Sequence, residues 1–347
     1  MVTSSPNRAP EGVASADELN LDHNRLLIAE NQAKKNEYSF FINVDMDRSQ
    51  GSRTAQSMAM FRALESARPK TDRRFEDPFA VLFLSRSMRL AVRAGETSLA
   101  AHSALIRYID IRWPGARHSG VARTAFIDQL LRRALCSGAQ QAVILGAGYD
   151  SRAYRIEAMK MVRVFEVDRP ETQHVKRERL SRVAGLSLEH VTFVEMDFLS
   201  QTLPEALVSS GFDRQRETFF IWEGVTHYLD SDSIDVAMRF VGNCAERTEI
   251  VFTYVHRSLL DGSGALSVSP NVVRLLQEAG EPWKFGFYPT ELPQYLSTRG
   301  LRLIEDLGAI EYGARFLDAG EEQMKGYEFY HVALAQVEAP GGVNCRK

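Results

Sequence analysis

The chain has 347 residues, 44% hydrophobic and 25% charged, which is the composition of a globular protein with room for one large or two moderate domains and excludes collagen, coiled coil and wholesale disorder. Its 42 Lys and Arg against 45 Asp and Glu leave a formal charge of −3, with no basic excess to draw it onto nucleic acid. Apolar runs such as 142–145 and 219–222 fall far short of the ~20 residues of a membrane-spanning helix.

Residues 1–53 are rich in Ser, Asn, Asp and Glu and read as a disordered polar tail without the apolar core of a signal peptide. From 54 the pattern turns helical. Met58, Met60, Phe61, Leu64 and Ala67 lie at helical spacing, Pro69 stops that helix, and further helices are expected at 79–84, 99–111 and 123–135. Residues 54–140 thus read as a helical lid and substrate region. At 141 the texture changes to short apolar runs alternating with helical segments, the signature of a parallel sheet with crossover helices. Strands are predicted at 142–145, 162–167, 191–195, 218–222 and 250–254, with helices at 151–160, 171–183, 204–210 and 231–246 between them. An irregular, helical insertion is expected over 255–288, then a helix at 290–298 and two closing strands, 301–307 and 330–336. The glycine-bearing segment between those two strands shows no crossover helix, so they can pair antiparallel. The fold class expected is α/β, a doubly wound, seven-stranded, mostly parallel sheet over 141–337, with a short tail at 338–347. Cys136, Cys244 and Cys345 are too far apart for a metal or redox motif and fit a reducing, cytoplasmic setting.

The sharpest local feature is VILGAGYDSR at 143–152. A buried strand running into Gly-x-Gly and then a helix lets the backbone approach a ligand, because Gly146 and Gly148 carry no side chain. Asp168 closes the next strand about twenty residues later, the spacing at which a carboxylate meets ribose hydroxyls. Ser151 replaces the third glycine of the dinucleotide fingerprint, so a pyrophosphate loses part of its cradle. A ligand with adenosine but no phosphate, such as S-adenosylmethionine, does not need it. Asp197 with Phe198 follows the third strand and Glu223 the fourth, so three strands carry an acid at the edge where open α/β sheets bind ligands. Singly, each acid reads equally well as solvation of a loop start.

Together with 63–78 (ALESARPKTDRRFEDP), 122–128 (ARTAFID), 165–170 (FEVDRP) and 222–229 (WEGVTHYL), this motif resembles the leucine carboxyl methyltransferase family of class I S-adenosylmethionine-dependent methyltransferases, including its small-molecule O-methyltransferase branch. The resemblance implies roles by position. Arg123 pairs with the cofactor's carboxylate, Gly146 and Gly148 lie beneath its methionine part, Asp168 holds the ribose, Asp197 and Phe198 bracket the adenine, and Glu223 meets the amino end. Glu166 is expected to point away from Asp168, and Arg152 to form a salt bridge at a helix start. No metal is expected.

Methyl transfer from a sulfonium is an in-line displacement that needs alignment more than covalent machinery. A carboxylate acceptor, pKa near 4, arrives ionised, whereas a phenol near 10 benefits from a base. His227 and Tyr228, just past Glu223, are the candidate catalytic residues; either can orient an acceptor and His227 can serve as base, or both can pack at the helix entry. Trp113, Trp283, Phe285, Phe287 and Tyr288 wall an acceptor pocket or belong to ordinary core. The expected partner is a small carboxylate or hydroxyl metabolite, for instance of polyketide type. The rival functions are methylation of a protein's carboxyl terminus, as in the family's other branch, an NAD-dependent oxidoreductase, and a silent adenosyl-binding protein.

Overall fold

The structure, a computed structural model, describes residues 53–198, 200–263, 283–317 and 321–338. The expected tails lie outside these apart from Arg53 and Glu338, as does 264–282 of the expected insertion.

The first described third is helical. Helix α1 (Arg53–Ser66) turns Ala59, Met60, Ala63 and Leu64 inward. A 3-10 turn, Ala80–Phe83, leads to α2 (Arg86–Thr97), which the sequence reading missed although Ser85 caps it, its hydroxyl accepting from the Met88 N–H. Ser98 caps α3 (Leu99–Arg112) in the same way. Helix α4 (Ala116–Cys136) begins seven residues before the predicted start, because Gly115 in the left-handed region turns the chain into it and the interior Gly120 makes room for Met58 and Phe61 of α1.

Seven strands follow, each within one residue of its predicted ends: β1 (Gln141–Leu145), β2 (Arg163–Asp168), β3 (Val191–Glu195), β4 (Thr218–Trp222), β5 (Glu249–Val255), β6 (Leu301–Gly308) and β7 (Tyr330–Val337). The order is β3-β2-β1-β4-β5-β7-β6. The first five run parallel, and β7 pairs antiparallel with both β5 and β6. Helices α5 (Arg152–Arg155), α6 (Pro170–Leu180), α7 (Leu203–Ser209) and α8 (Ser231–Gly242) make the crossovers. Helix α8 stops four residues before the predicted end, where the Asn243 N–H closes onto the last-turn carbonyls of Arg239, Phe240 and Val241; Gly242 lies against the Arg299 carbonyl, where a Cβ has no room.

The closing pair is antiparallel as expected, but not for the expected reason. A helix, α9 (Ala309–Leu317), does lie between β6 and β7. It returns to the face it left and packs on α4, Phe316 stacking on Phe126 at 4.9 Å and Tyr312 meeting Ser119 at 2.6 Å, so the chain never crosses to the far side.

Strand alternation splits the core in two. Ala142, Ile144, Val164, Phe219 and Ile221 face α1 and α4, while Val143, Leu145, Phe165, Val167, Phe220 and Trp222 face α7 and α8. Each fully buried large apolar side chain contributes roughly 1.5–3 kcal/mol. The middle strands are buried on both sides, which is why they read as continuous apolar runs.

Candidate active site

The strand order reverses between β1 and β4, so their carboxyl ends form the crevice where doubly wound sheets take ligands. Both glycines of the β1 turn have positive φ, +64° at Gly146 and +42° at Gly148. The space above them is partly claimed by protein. A Cβ at Gly146 would collide with Val225 Cγ2, and one at Gly148 would stand 3.3 Å from Ala55 of α1. Gly146 is therefore demanded by packing as well as by ligand approach. Gly146→Ala is expected to cost roughly 1–3 kcal/mol of stability by urea unfolding, from strain and overpacking together.

Asp168 is tied to this turn. Its carboxylate accepts the Gly148 N–H and, at 2.7 Å, the Arg169 N–H, which fixes the orientation of both oxygens. Burial raises its pKa against the pull of those two amides. Glu166 corrects an expectation: two residues earlier on a period-two strand, it shares the side of Asp168. It is fully buried, bonded to Lys176 at 2.7 Å and to the Tyr154 hydroxyl at 2.7 Å. Lys176 and Arg169, after the two amides, also oppose the burial of the Asp168 carboxylate.

Asp197 and Phe198 follow β3. The Phe198 ring stacks on the buried Trp222 at the end of β4, with 6.2 Å between centroids and 24° between planes. Glu223 comes next, gripped from two sides. Its Oε1 faces Arg123 Nε at 3.4 Å and its Oε2 accepts from Arg152 Nη1 at 3.0 Å. Arg123, on α4, is buried; it also donates to Ser119 Oγ at 2.7 Å and lies over the Tyr330 ring at 4.3 Å. Burial opposes its charge, but Tyr330, Tyr312 and Glu223 hold its pKa above the usual value.

His227 sits in a 3-10 turn, Thr226–Tyr228, pinned where Thr226 Oγ1 donates to the Thr253 carbonyl. Its ring is 2% exposed and meets Tyr228, Trp283 and Tyr330 at centroid distances of 4.2, 5.1 and 5.8 Å. Among the described residues its Nδ1 has no hydrogen-bond partner, and neither has Trp283 Nε1. Burial first, and the nearby Arg123 second, push its pKa down to about 3. The unfolded chain takes up this proton near 6.5, so the stability tied to the neutral ring is complete above that pH and is lost as pH falls toward 3. His227→Gln should flatten the fall in stability between those two values, measured by denaturant unfolding at a series of pH values.

Of the other predicted pocket aromatics, Trp113 packs on the helix-side core, Phe285 and Phe287 join the opposite core, and Tyr288 donates to Asp261. Tyr327, Phe329 and Tyr330, which sequence reasoning missed, complete the aromatic cluster with Trp283. No metal-holding group of His, Cys, Asp or Glu occurs among the described residues. A cleft of about 540 Å³ opens elsewhere, lined by Arg68, His102, Arg117 and His118 among others, and touches none of the groups above.

The family model for leucine carboxyl methyltransferase matches residues 55–242, more than half of the chain. The chain belongs to the leucine carboxyl methyltransferase family. The protein named "Putative S-adenosyl-L-methionine-dependent methyltransferase YktD" of Bacillus subtilis (strain 168) is 30% identical over 214 residues, 61% of this chain and 70% of that one. A similarly named protein, FRAAL3718 of Frankia alni, is 37% identical over 193 residues, 54% of this chain and 63% of that one. Among solved structures, a DUF574-family protein of Streptomyces avermitilis covers 84% of this chain and 99% of its own at TM-score 0.54 and 12% identity. A structure titled as a putative methyltransferase of Thermobifida fusca covers 80% and 97% at TM-score 0.50 and 18% identity. The last two establish the likeness of fold.

This leucine carboxyl methyltransferase family member is an enzyme that uses S-adenosylmethionine. The residues at the sheet edge fit that group. The cation of Arg123 and the carboxylate of Glu223 complement an amino acid's two charged ends, Asp168 is an acceptor for hydroxyls, and the half-buried Phe198 ring offers an apolar wall for a base. Two buried polar atoms, Arg152 Nη2 next to Glu223 and His227 Nδ1 near Arg123, await a partner that the described residues do not supply.

Proposed function

We propose that this enzyme forms a methyl ester on the carboxylate of a small, largely apolar metabolite. The observation that supports this most is His227: a neutral, buried imidazole whose Nδ1 no described residue pairs, set in an aromatic cluster beside Arg123. S-adenosylmethionine supplies an electrophilic methyl carbon; everything else is alignment by the protein. In this reading Arg123 holds the cofactor's carboxylate, Glu223 its ammonium and Asp168 its ribose hydroxyls. Asp197 and Phe198 bracket the adenine, and the Gly146 to Gly148 turn runs beneath the methionine part. His227 and Tyr228 orient the acceptor oxygen, while Trp283, Tyr327, Phe329 and Tyr330 exclude water around it.

The low basicity of His227 favours an acceptor that arrives ionised. Moving a proton from a phenol near 10 onto an imidazole near 3 is uphill by about 9–10 kcal/mol, whereas a carboxylate has no proton to move. The free thiols of Cys136 and Cys244 support a reducing, cytoplasmic setting.

The test is transfer of labelled methyl groups to a panel of small carboxylic acids, phenols and peptides with a free carboxyl terminus, followed by alkali. Label released as volatile methanol from the small acids supports the reading. Alkali-stable label on phenols removes the ester, and label on peptide termini alone removes the small molecule.

A further inference from the structure

Behind Glu223 runs a buried chain of alternating charges. Arg152 donates through Nη1 to both Glu223 and Asp150, and through Nε to Asp128 at 2.8 Å. Asp128 is shared with Arg155, at 2.5 and 2.7 Å. Ser151 Oγ reaches Asp77 at 2.6 Å, and Asp77 is held by Arg62 of α1 at 2.8 Å. Arg62, Arg152, Arg155 and Arg123 thus face Asp77, Asp128, Asp150 and Glu223. Burial opposes the charge of Asp150, yet Arg152 and then Arg62 and Lys176 pull its pKa down to about 2.

Glu223 has two cations, with different commitments. Arg123 meets it only at 3.4 Å and is otherwise engaged by Ser119 and the Tyr330 ring. Arg152 is fixed by three carboxylates on two strand-end loops and on α4, so it cannot follow a ligand. A guanidinium serves here because its planar fork reaches several carboxylates at once, which an ammonium on a flexible stem does not. A Glu223 lacking that anchor would collapse onto Arg123 and neutralise the cation meant for the ligand.

We propose that Arg152 is the positioning residue for Glu223, holding its carboxylate apart from Arg123 so that the two present separate charges to the amino and carboxyl ends of a bound amino acid group. This rests on the reading of Glu223 and Arg123 given above. Arg152 is then more than the helix-start salt bridge that the sequence implies, since its furthest partner lies across the crevice on the β4 loop.

The experiment compares calorimetric dissociation constants for S-adenosylhomocysteine and for 5′-methylthioadenosine, which has the same nucleoside and thioether but no amino acid end. Arg152→Gln should weaken the first at least tenfold and the second less than twofold. Arg152→Lys, which keeps a charge for Asp128 and Asp150, should weaken the first several-fold and carries the test alone if the Gln variant does not fold. In a Glu223→Gln background the effect of Arg152→Gln should vanish, because the residue acts through Glu223. Equal weakening of both ligands, or an undiminished effect in that background, overturns the proposal. A changed ratio in Glu223→Gln with an unchanged ratio in both Arg152 variants overturns the anchoring alone. An unchanged ratio in Glu223→Gln overturns the placement of the amino end itself, and the anchoring with it.

Discussion

Asp128→Ala is expected to destabilise the fold by about 3–5 kcal/mol, the cost of breaking a buried ion pair from one side. Its two oxygens accept from Arg152 Nε and from both terminal nitrogens of Arg155, with all three side chains at most 6% exposed. Removing the carboxylate leaves two guanidinium groups facing each other with Asp150, Glu223 and Asp77 as remaining counter-ions. Urea unfolding at neutral pH measures the loss. A change below about 1 kcal/mol, the range of exposed pairs, would mean that the remaining acids suffice.

Arg123→Ala is expected to weaken binding of S-adenosylhomocysteine by roughly 1.5–3 kcal/mol, the worth of a charge-assisted hydrogen bond. Glu223 keeps Arg152 at 3.0 Å, but the contacts of Arg123 with Ser119 and the Tyr330 ring are lost, so the folded fraction is checked by urea unfolding alongside. Arg123→Lys should recover only part, as a single ammonium cannot present the forked donor pair. Calorimetry reads both variants: unchanged affinity in Arg123→Ala would remove Arg123 from the cofactor site, and unchanged affinity in Arg123→Lys would remove the need for a forked donor.

The sheet was legible because its middle strands are buried on both faces, and a run such as Phe219, Phe220, Ile221 and Trp222 has no amphipathic alternative. Helix α2 was not, since Arg86, Arg89 and Arg93 crowd its sequence and few of its residues are buried; its Ser85 cap was the available signal. The carboxylates at the strand ends could be read from position alone. The partners of those groups could not. Asp77, Asp128 and Arg155 stood within or beside the stretches that carry the family resemblance, but pairings between residues 24 to 74 positions apart need the fold to reveal them. Tyr330 was invisible as a site residue for the same reason: it opens a strand predicted only as a closing element. The depressed basicity of His227 depends on Trp283 and Tyr330 arriving from distant segments, so its sequence neighbourhood left base and orienting roles equally open.

The order β5-β7-β6 has a practical meaning for anyone trimming this chain. The segment matched by the family model ends at Gly242, inside the last turn of α8, before β5 and β7 have been made. A fragment cut there would leave β4 as a raw edge and deprive the α4 guanidinium of the ring beneath it. The stretch that marks the family is therefore not a self-sufficient module, and the strands β5, β6 and β7 after it are as necessary to the crevice as the glycine turn.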